Sequence, residues 1–167
     1  LGSTHIDCRQ DGAALDPSCR AGYLFNTKIA GIEGADACLL IGADPRGEAA
    51  LINARLRKRH LEGGFIVASV GTSIDLTFPV EELGVRASIL SAIADGSHPF
   101  AATLKAADRP MLILGQGALA RSDGAAILAV ARAIAETTGM IVDGWNGFNV
   151  LHTAAARVGA LDLGFVP

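Results

Sequence analysis

The chain has 167 residues, of which 50% are hydrophobic, 19% charged and 5% aromatic, and 14 basic against 17 acidic residues leave a net charge of −3. That balance gives no general electrostatic attraction to nucleic acid or to an anionic membrane surface, and it favours close-packed helices on a sheet over an aromatic binding platform. No run reaches the roughly 18 to 20 apolar residues that a membrane-spanning helix needs, and no basic-then-apolar leader opens the chain, so the expectation is one soluble domain without nucleic-acid partners or direct membrane insertion.

The chain begins at Leu1 without an initiator methionine and ends on Phe165-Val166-Pro167, which reads as a piece of a longer polypeptide. Residues 1–22 mix Gly, Asp, Pro, Ser and Arg with little periodicity: an irregular lead-in with at most one helical turn, before a single α/β domain over 23–167. Cys8, Cys19 and Cys38 are odd in number and widely spaced, which suits free thiols in a reducing compartment. Their spacing also lacks the close Cys-x2-Cys or Cys-x4-Cys-x2-Cys runs of iron-sulfur sites.

The stretch from Ala35 to Arg59, ADACLLIGADPRGEAALINARLRKR, reads as strand, loop and helix. Cys38–Ile41 is apolar without alternation, as a parallel strand covered on both faces would be. Gly42-Ala43-Asp44-Pro45 breaks it. Asp44 and Glu48 then lie near the positive end of a helix from about Gly47 to His60, and Arg55, Arg57, Lys58 and Arg59 near its negative end. Ala50, Leu51, Ala54 and Leu61 are expected to face the sheet.

Gly63-Gly64 ends that helix, and Phe65–Val70 (FIVASV) is a second strand closed by Gly71-Thr72, completing a right-handed crossover. Ile74–Phe78 reads as a loop or an edge strand. Arg86–Asp95 forms a short helix with Ile89, Leu90 and Ile93 inward and Gly96 as its stop, and Ser97-His98-Pro99 starts another with Phe100 and Leu104 inward. Met111–Leu114 is a third strand ending at Gly115-Gln116-Gly117. Ser122 or Asp123 caps the best-patterned helix, in which Ile127, Val130, Ala131, Ile134 and Ala135 share a face, and Gly139 closes it in a left-handed turn. Met140–Val142 is expected as a fourth strand, residues 143–147 as a loop, and Leu151, Ala154, Ala155 and Val158 as one face of a last helix. The order β-α-β-α-α-β-α-β-α predicts a doubly wound, mainly parallel α/β sheet with helices on both faces, Rossmann-like in kind.

The candidate site residues are the glycine loops after the parallel strands: Gly42, Asp44 and Pro45; Gly71 and Thr72; Gly115 and Gly117. Such loops gather along the carboxyl edge of a sheet, where open α/β folds bind phosphates and cofactors. Glycines after strands are also simply tight turns, and neither a full Gly-x-Gly-x-x-Gly nor a Walker sequence is present. His5, His60, His98 and His152 fall in the lead-in, at a helix end, at a helix start and in a helix body, without metal-ligand spacing. No Gly-x-Ser-x-Gly elbow points to a catalytic triad, so no catalytic and no metal residue is assigned. The Arg55–Arg59 cluster is either a solvated helix end or a docking surface, and Trp145 with Phe148 is either folded over the sheet edge or an exposed anchor.

ADACLLIGADPRGEAALINARLRKR also resembles the large iron-sulfur subunit (the 75 kDa or G subunit) of respiratory NADH:quinone oxidoreductase, complex I, in its molybdopterin-oxidoreductase-like region. YLFNTKIAGIEGAD (23–36), IDLTF (74–78), GSHPF (96–100), RSDGAAILA (121–129) and ALDLGF (160–165) fit it in the same order. Departures are Ala43-Asp44, where Thr-Asn is usual, and Gly47–Ala50, where a bulkier residue and a proline are usual. The resemblance implies a structural domain of the peripheral arm, surrounded by other complex I subunits, on the cytoplasmic side of the bacterial inner membrane or the mitochondrial matrix side. It implies no cofactor in this chain and no catalysis by it alone; the iron-sulfur clusters that carry electrons from NADH to quinone, coupled to proton pumping, would be bound upstream. In molybdopterin enzymes the glycine loops help hold the dinucleotide cofactor, so the resemblance implies an emptied, vestigial pocket. The competing expectation is a nucleotide-binding domain like the central domain of thiamine-diphosphate enzymes, on the strand, Gly-x-Gly, helix, strand pattern of 107–143.

Overall fold

The computed structural model describes residue 3 and residues 5–166; the terminal Leu1 and Pro167 lie outside the described residues. A 3-10 turn at Arg20–Gly22, helix α1 (Lys28–Gly31) and a second 3-10 turn at Ile32–Gly34 lead into strand β1, Ala37–Ile41. Then follow α2 (Pro45–Glu48), α3 (Ala50–Leu61), β2 (Ile66–Val70), β3 (Glu81–Gly84), α4 (Ala87–Asp95), α5 (Pro99–Ala106) and β4 (Pro110–Leu114). The chain continues through α6 (Gln116–Leu119), α7 (Gly124–Thr137), a hairpin of β5 (Ile141–Val142) and β6 (Trp145–Asn146), β7 (Phe148–Val150) and α8 (Arg157–Asp162).

The main sheet has five strands in the order β3-β2-β1-β4-β7, every neighbouring pair parallel. β1 is central, with Ala37 opposite Ile66 on one side and Pro110 on the other. Its side chains divide between two cores, as the two-residue period of a strand requires. Ala37, Leu39 and Ile41 join the core built with α4, α5 and α7, while Cys38 and Leu40 join the one built with α3 and the loop over 74–80. β4 repeats the division with Leu112 and Leu114 against Met111 and Ile113. Because helices cover both faces, every residue of β1 and β4 is buried, which is why these strands read as unbroken apolar runs. Each of the larger side chains there contributes about 1.5–3 kcal/mol by leaving water.

The expected doubly wound parallel sheet is therefore present, with three strands, β1, β2 and β4, in their expected places and several local corrections. The chain after Asp44 does not run as one helix: Ala49, at φ −152° and ψ 70°, separates α2 from α3. The face assigned to α3 is reversed. Ile52, Asn53 and Leu56 are buried, whereas Leu51 and Leu61 are 74% and 67% exposed and Ala50 and Ala54 are also exposed. Apolar residues occur on both sides of this helix, and tertiary anchors choose between them: Asn53 Nδ2 donates to the Leu76 carbonyl, and the Arg59 guanidinium donates to the carbonyls of Ala35 and Gly63. Ile74–Phe78 is a loop, and the edge strand is Glu81–Gly84.

Residues 141–142 do not enter the main sheet. They pair antiparallel with Trp145-Asn146 around Asp143-Gly144, a two-residue turn in which Gly144 has φ +76°. Met140 is buried below this hairpin while Ile141 and Val142 are exposed, and β7 takes the sheet position instead. Trp145 folds back, its indole N–H donating to the Pro110 carbonyl at 2.9 Å, and Phe148 is buried. Ala154 and Ala155 are exposed turn residues ahead of α8, whose buried side chains are Arg157 and Leu161; His152 precedes the helix rather than lying in its body. Asp123 stands at the start of α7, yet its carboxylate is taken by Arg121 and does not cap the helix. At the other end Gly139, at φ +72°, lets Met140 N–H reach the Ala135 carbonyl at 3.0 Å, the expected left-handed closure. No described helix is long and apolar enough to cross a membrane.

Candidate functional site at the carboxyl edge of the sheet

The loops after β1, β2 and β4 meet at the carboxyl edge. Gly42 N–H donates to the Val70 carbonyl at 3.0 Å and Gly115 N–H to the Ile41 carbonyl at 2.9 Å, so each loop continues the ladder of its neighbour. The approach is closest between the β1 and β4 loops. A Cβ on Gly115 would stand 2.3 Å from the Gly42 carbonyl oxygen, one on Gly117 2.8 Å from the same atom, and one on Gly42 2.6 Å from Ala118 N. Gly42 also has φ +53°, a conformation L side chains rarely adopt. These glycines let two backbones touch. Gln116 closes the same side by donating from Nε2 to the Leu151 carbonyl at 2.7 Å, and its Oε1 accepts from the buried Arg157, which also pairs with Asp11 at 2.9 Å.

On the other side of the β1 loop, between it and the β2 loop, the edge opens into a cavity of about 290 Å³. Of the residues expected at the site, Gly42, Asp44, Gly71, Thr72 and Gly117 line it; Gly115 is packed behind Gly42, and Pro45 is buried without lining it. Asp44 caps α2, accepting from Arg46 N at 3.1 Å and Gly47 N at 3.2 Å, with Pro45 in the first helical position.

Three further polar residues line it beyond the expected site residues: Glu48, Ser69 and Arg121. Ser69 carried a signal, being the one hydroxyl in the otherwise apolar run FIVASV. It is 5% exposed, and its hydroxyl has no hydrogen-bond partner among the described residues. Glu48 accepts from Asp44 N at 3.2 Å. Partial burial pushes its pKa up, that hydrogen bond opposes the rise, and the Asp44 charge adds to it. Arg121 is held in a two-bond pair with Asp123 at 2.6 and 2.9 Å.

Away from the edge, no three His, Cys, Asp or Glu side chains converge as metal ligands among the described residues. Cys8, Cys19 and Cys38 are free, and complete burial pushes the Cys38 thiol far up, so it is inert as a nucleophile. The basic end of α3 is partly absorbed by the fold: Arg55 and Lys58 both pair with Glu33, and the Arg59 guanidinium lies 5.5 Å from the centre of the Phe65 ring.

The chain is 43% identical over 158 residues to the NADH-ubiquinone oxidoreductase 75 kDa subunit of Reclinomonas americana, covering 95% of this chain and 23% of that protein. It is 42% identical over 167 residues to the mitochondrial NADH dehydrogenase [ubiquinone] iron-sulfur protein 1 of Solanum tuberosum, covering 100% of this chain and 23% of that protein. With the G subunit of the NADH-quinone oxidoreductase of Rickettsia conorii it shares 44% identity over 165 residues, covering 99% of this chain and 25% of that protein. The chain thus spans about a quarter of the length of these relatives, which are the subunits that its sequence motifs resemble. A family model for molybdopterin oxidoreductases matches residues 1–167, the whole chain. The chain belongs to the molybdopterin oxidoreductase family, and within it is similar to the 75 kDa or G subunits of NADH-quinone oxidoreductases.

Proposed function

We propose that this chain is a structural domain of the iron-sulfur subunit of an NADH:quinone oxidoreductase and holds no redox cofactor of its own. The observation that carries this is the contact of Gly115 and Gly117 with the Gly42 carbonyl, at the edge where the fold family would seat a pterin dinucleotide. A pyrophosphate there needs free backbone N–H groups and cations. Instead Gly42 N–H and Gly115 N–H are spent on neighbouring strands, and Asp44 and Glu48 face the cavity. The cation lining it, Arg121, is neutralised by Asp123. A cavity of about 290 Å³ is also at the bottom of the range for drug-sized ligands, well below what a dinucleotide fills. The residues do not fit the group, and no chemical step is assigned to it.

In this reading the parent subunit passes electrons from NADH toward quinone through clusters bound by segments other than this one. The domain contributes rigidity and surface to the peripheral arm, against other subunits, on the cytoplasmic or matrix side of the membrane. Similarity of about two residues in five across the whole chain supports this assignment over a nucleotide-binding domain of thiamine-diphosphate enzymes.

The test is made in the full-length subunit within its complex. Gly42→Val is expected to lower the amount of assembled complex while leaving NADH:quinone turnover per assembled complex unchanged. A normal amount of complex with reduced turnover per complex would contradict the structural role.

A further inference from the structure

The open side of the edge has a chemistry of its own, independent of whether the parent is a respiratory subunit. Two carboxylates, Asp44 and Glu48, line the cavity, and the guanidinium that shares its lining, Arg121, already has its carboxylate partner. Each acid has hydrogen-bonding capacity left. Asp44 accepts both its cap bonds on Oδ1, and Glu48 accepts the Asp44 N–H on Oε2. Ser69 supplies an independent observation: a serine 5% exposed, lining the cavity, whose hydroxyl has no hydrogen-bond partner among the described residues. That hydroxyl opens onto the cavity and is free to accept from a ligand donor. The same cavity is also lined by the apolar side chains of Ile74, Val85 and Leu90.

Acceptors and apolar side chains lining one cavity match a cation at the end of a hydrocarbon stem: the stem packs on the apolar lining and the head meets the carboxylates. We propose that the cavity binds a guanidinium or ammonium group carried on an apolar stem, either an arginine or lysine side chain of a polypeptide or a free alkyl cation. The raised pKa of Glu48 is consistent with a carboxylate that lacks its counter-charge. A phosphate-bearing ligand would meet the same two carboxylates as repulsion.

The test uses the isotopically labelled 167-residue chain, titrated at neutral pH with N-acetyl-arginine amide, with agmatine and with N-acetyl-norleucine amide, following the amide signals of Gly42, Gly71 and Gly117. The two cations are expected to bind saturably with Kd on the order of 1 mM, and the neutral norleucine derivative is not. Glu48→Gln keeps the acceptor for Asp44 N–H and is expected to weaken binding about tenfold; Ser69→Ala should weaken it about threefold. Saturable response to the capped arginine assigns the source as a polypeptide side chain, and response to agmatine alone assigns a free cation. Equal shifts from norleucine, or a Glu48→Gln variant that melts like the parent and binds the cations unchanged, would overturn the proposal. Nucleotide binding is a separate readout, so failure here leaves the assignment of the domain untouched.

Discussion

The two sides of the β1 loop solve opposite problems with the same backbone. Toward β4, Gly42, Gly115 and Gly117 bring two chain segments into direct contact, and Gln116, Arg157 and Asp11 extend that closure through hydrogen bonds to Leu151 and the lead-in. Toward β2, Asp44, Ser69 and Thr72 leave about 290 Å³ open and keep acceptors facing it. A glycine-rich sheet edge is thus not evidence of a phosphate site by itself. What matters is whether the space freed by a missing side chain is filled by another backbone or left for a ligand.

The contrast is broken most severely by adding atoms to the closed side. Gly115 has φ −96°, so Gly115→Ala carries no conformational penalty, yet its Cβ would overlap backbone at 2.3 and 2.6 Å. We expect a loss of about 3 kcal/mol, read as a lower urea midpoint with unchanged slope. A smaller loss, about 1–2 kcal/mol, is expected for Gly139→Ala, where φ is +72° but nothing lies within 4 Å; here strain acts without overlap. On the open side, Asp44→Ala removes the cap of α2 and should cost about 1 kcal/mol by the same denaturation measurement. If Asp44→Ala proves more damaging than Gly115→Ala, the closed side is not where the edge is held together.

The smallest effect concerns pH. His152 borders the closed side, with Nε2 2.6 Å from the Tyr23 carbonyl oxygen and a buried Nδ1 that has no partner among the described residues. Burial pulls its pKa below the ordinary 6.5; the bond to Tyr23 and the Asp11 charge oppose this, and the Arg157 charge reinforces it. The folded state therefore takes up a proton at lower pH than the unfolded chain. His152 costs nothing above about pH 6.5, and stability falls as pH drops from there toward the folded-state pKa. His152→Gln should make stability less sensitive to pH between about 7.5 and 5.5, measured as the change in urea midpoint relative to the parent.

Much of this was legible in the residues because burial on both sheet faces leaves unbroken apolar runs, as in Leu39–Ile41 and Met111–Leu114, and because Gly96 and Gly139 end helices by a local rule. The inward face of α3 was not legible, since Leu51 and Leu61 compete with Ile52 and Leu56 and the choice rests on distant partners of Asn53 and Arg59. The hairpin at 141–146 was missed although Asp143-Gly144 announces it, because Met140–Val142 has the composition of a core strand. At the site, the glycines were found from their place after strands. Which of them touch another backbone, and that Glu48 and Ser69 complete a cavity, depends on the spacing between loops far apart in sequence.

Whether the β1–β4 side of the edge is closed to phosphates is decided by thermal melts of the chain with saturating FAD, NADH, ADP and GDP. A ligand at about 100 times its dissociation constant adds ~2.7 kcal/mol to the folded state. For a chain of this length that raises the melting temperature by roughly 5 to 10 °C. A closed edge gives curves that overlay the unliganded one within about a degree, a shift equivalent to well under 1 kcal/mol. A rise of several degrees with one nucleotide, removed by Gly117→Val in a variant that still folds, would contradict closure.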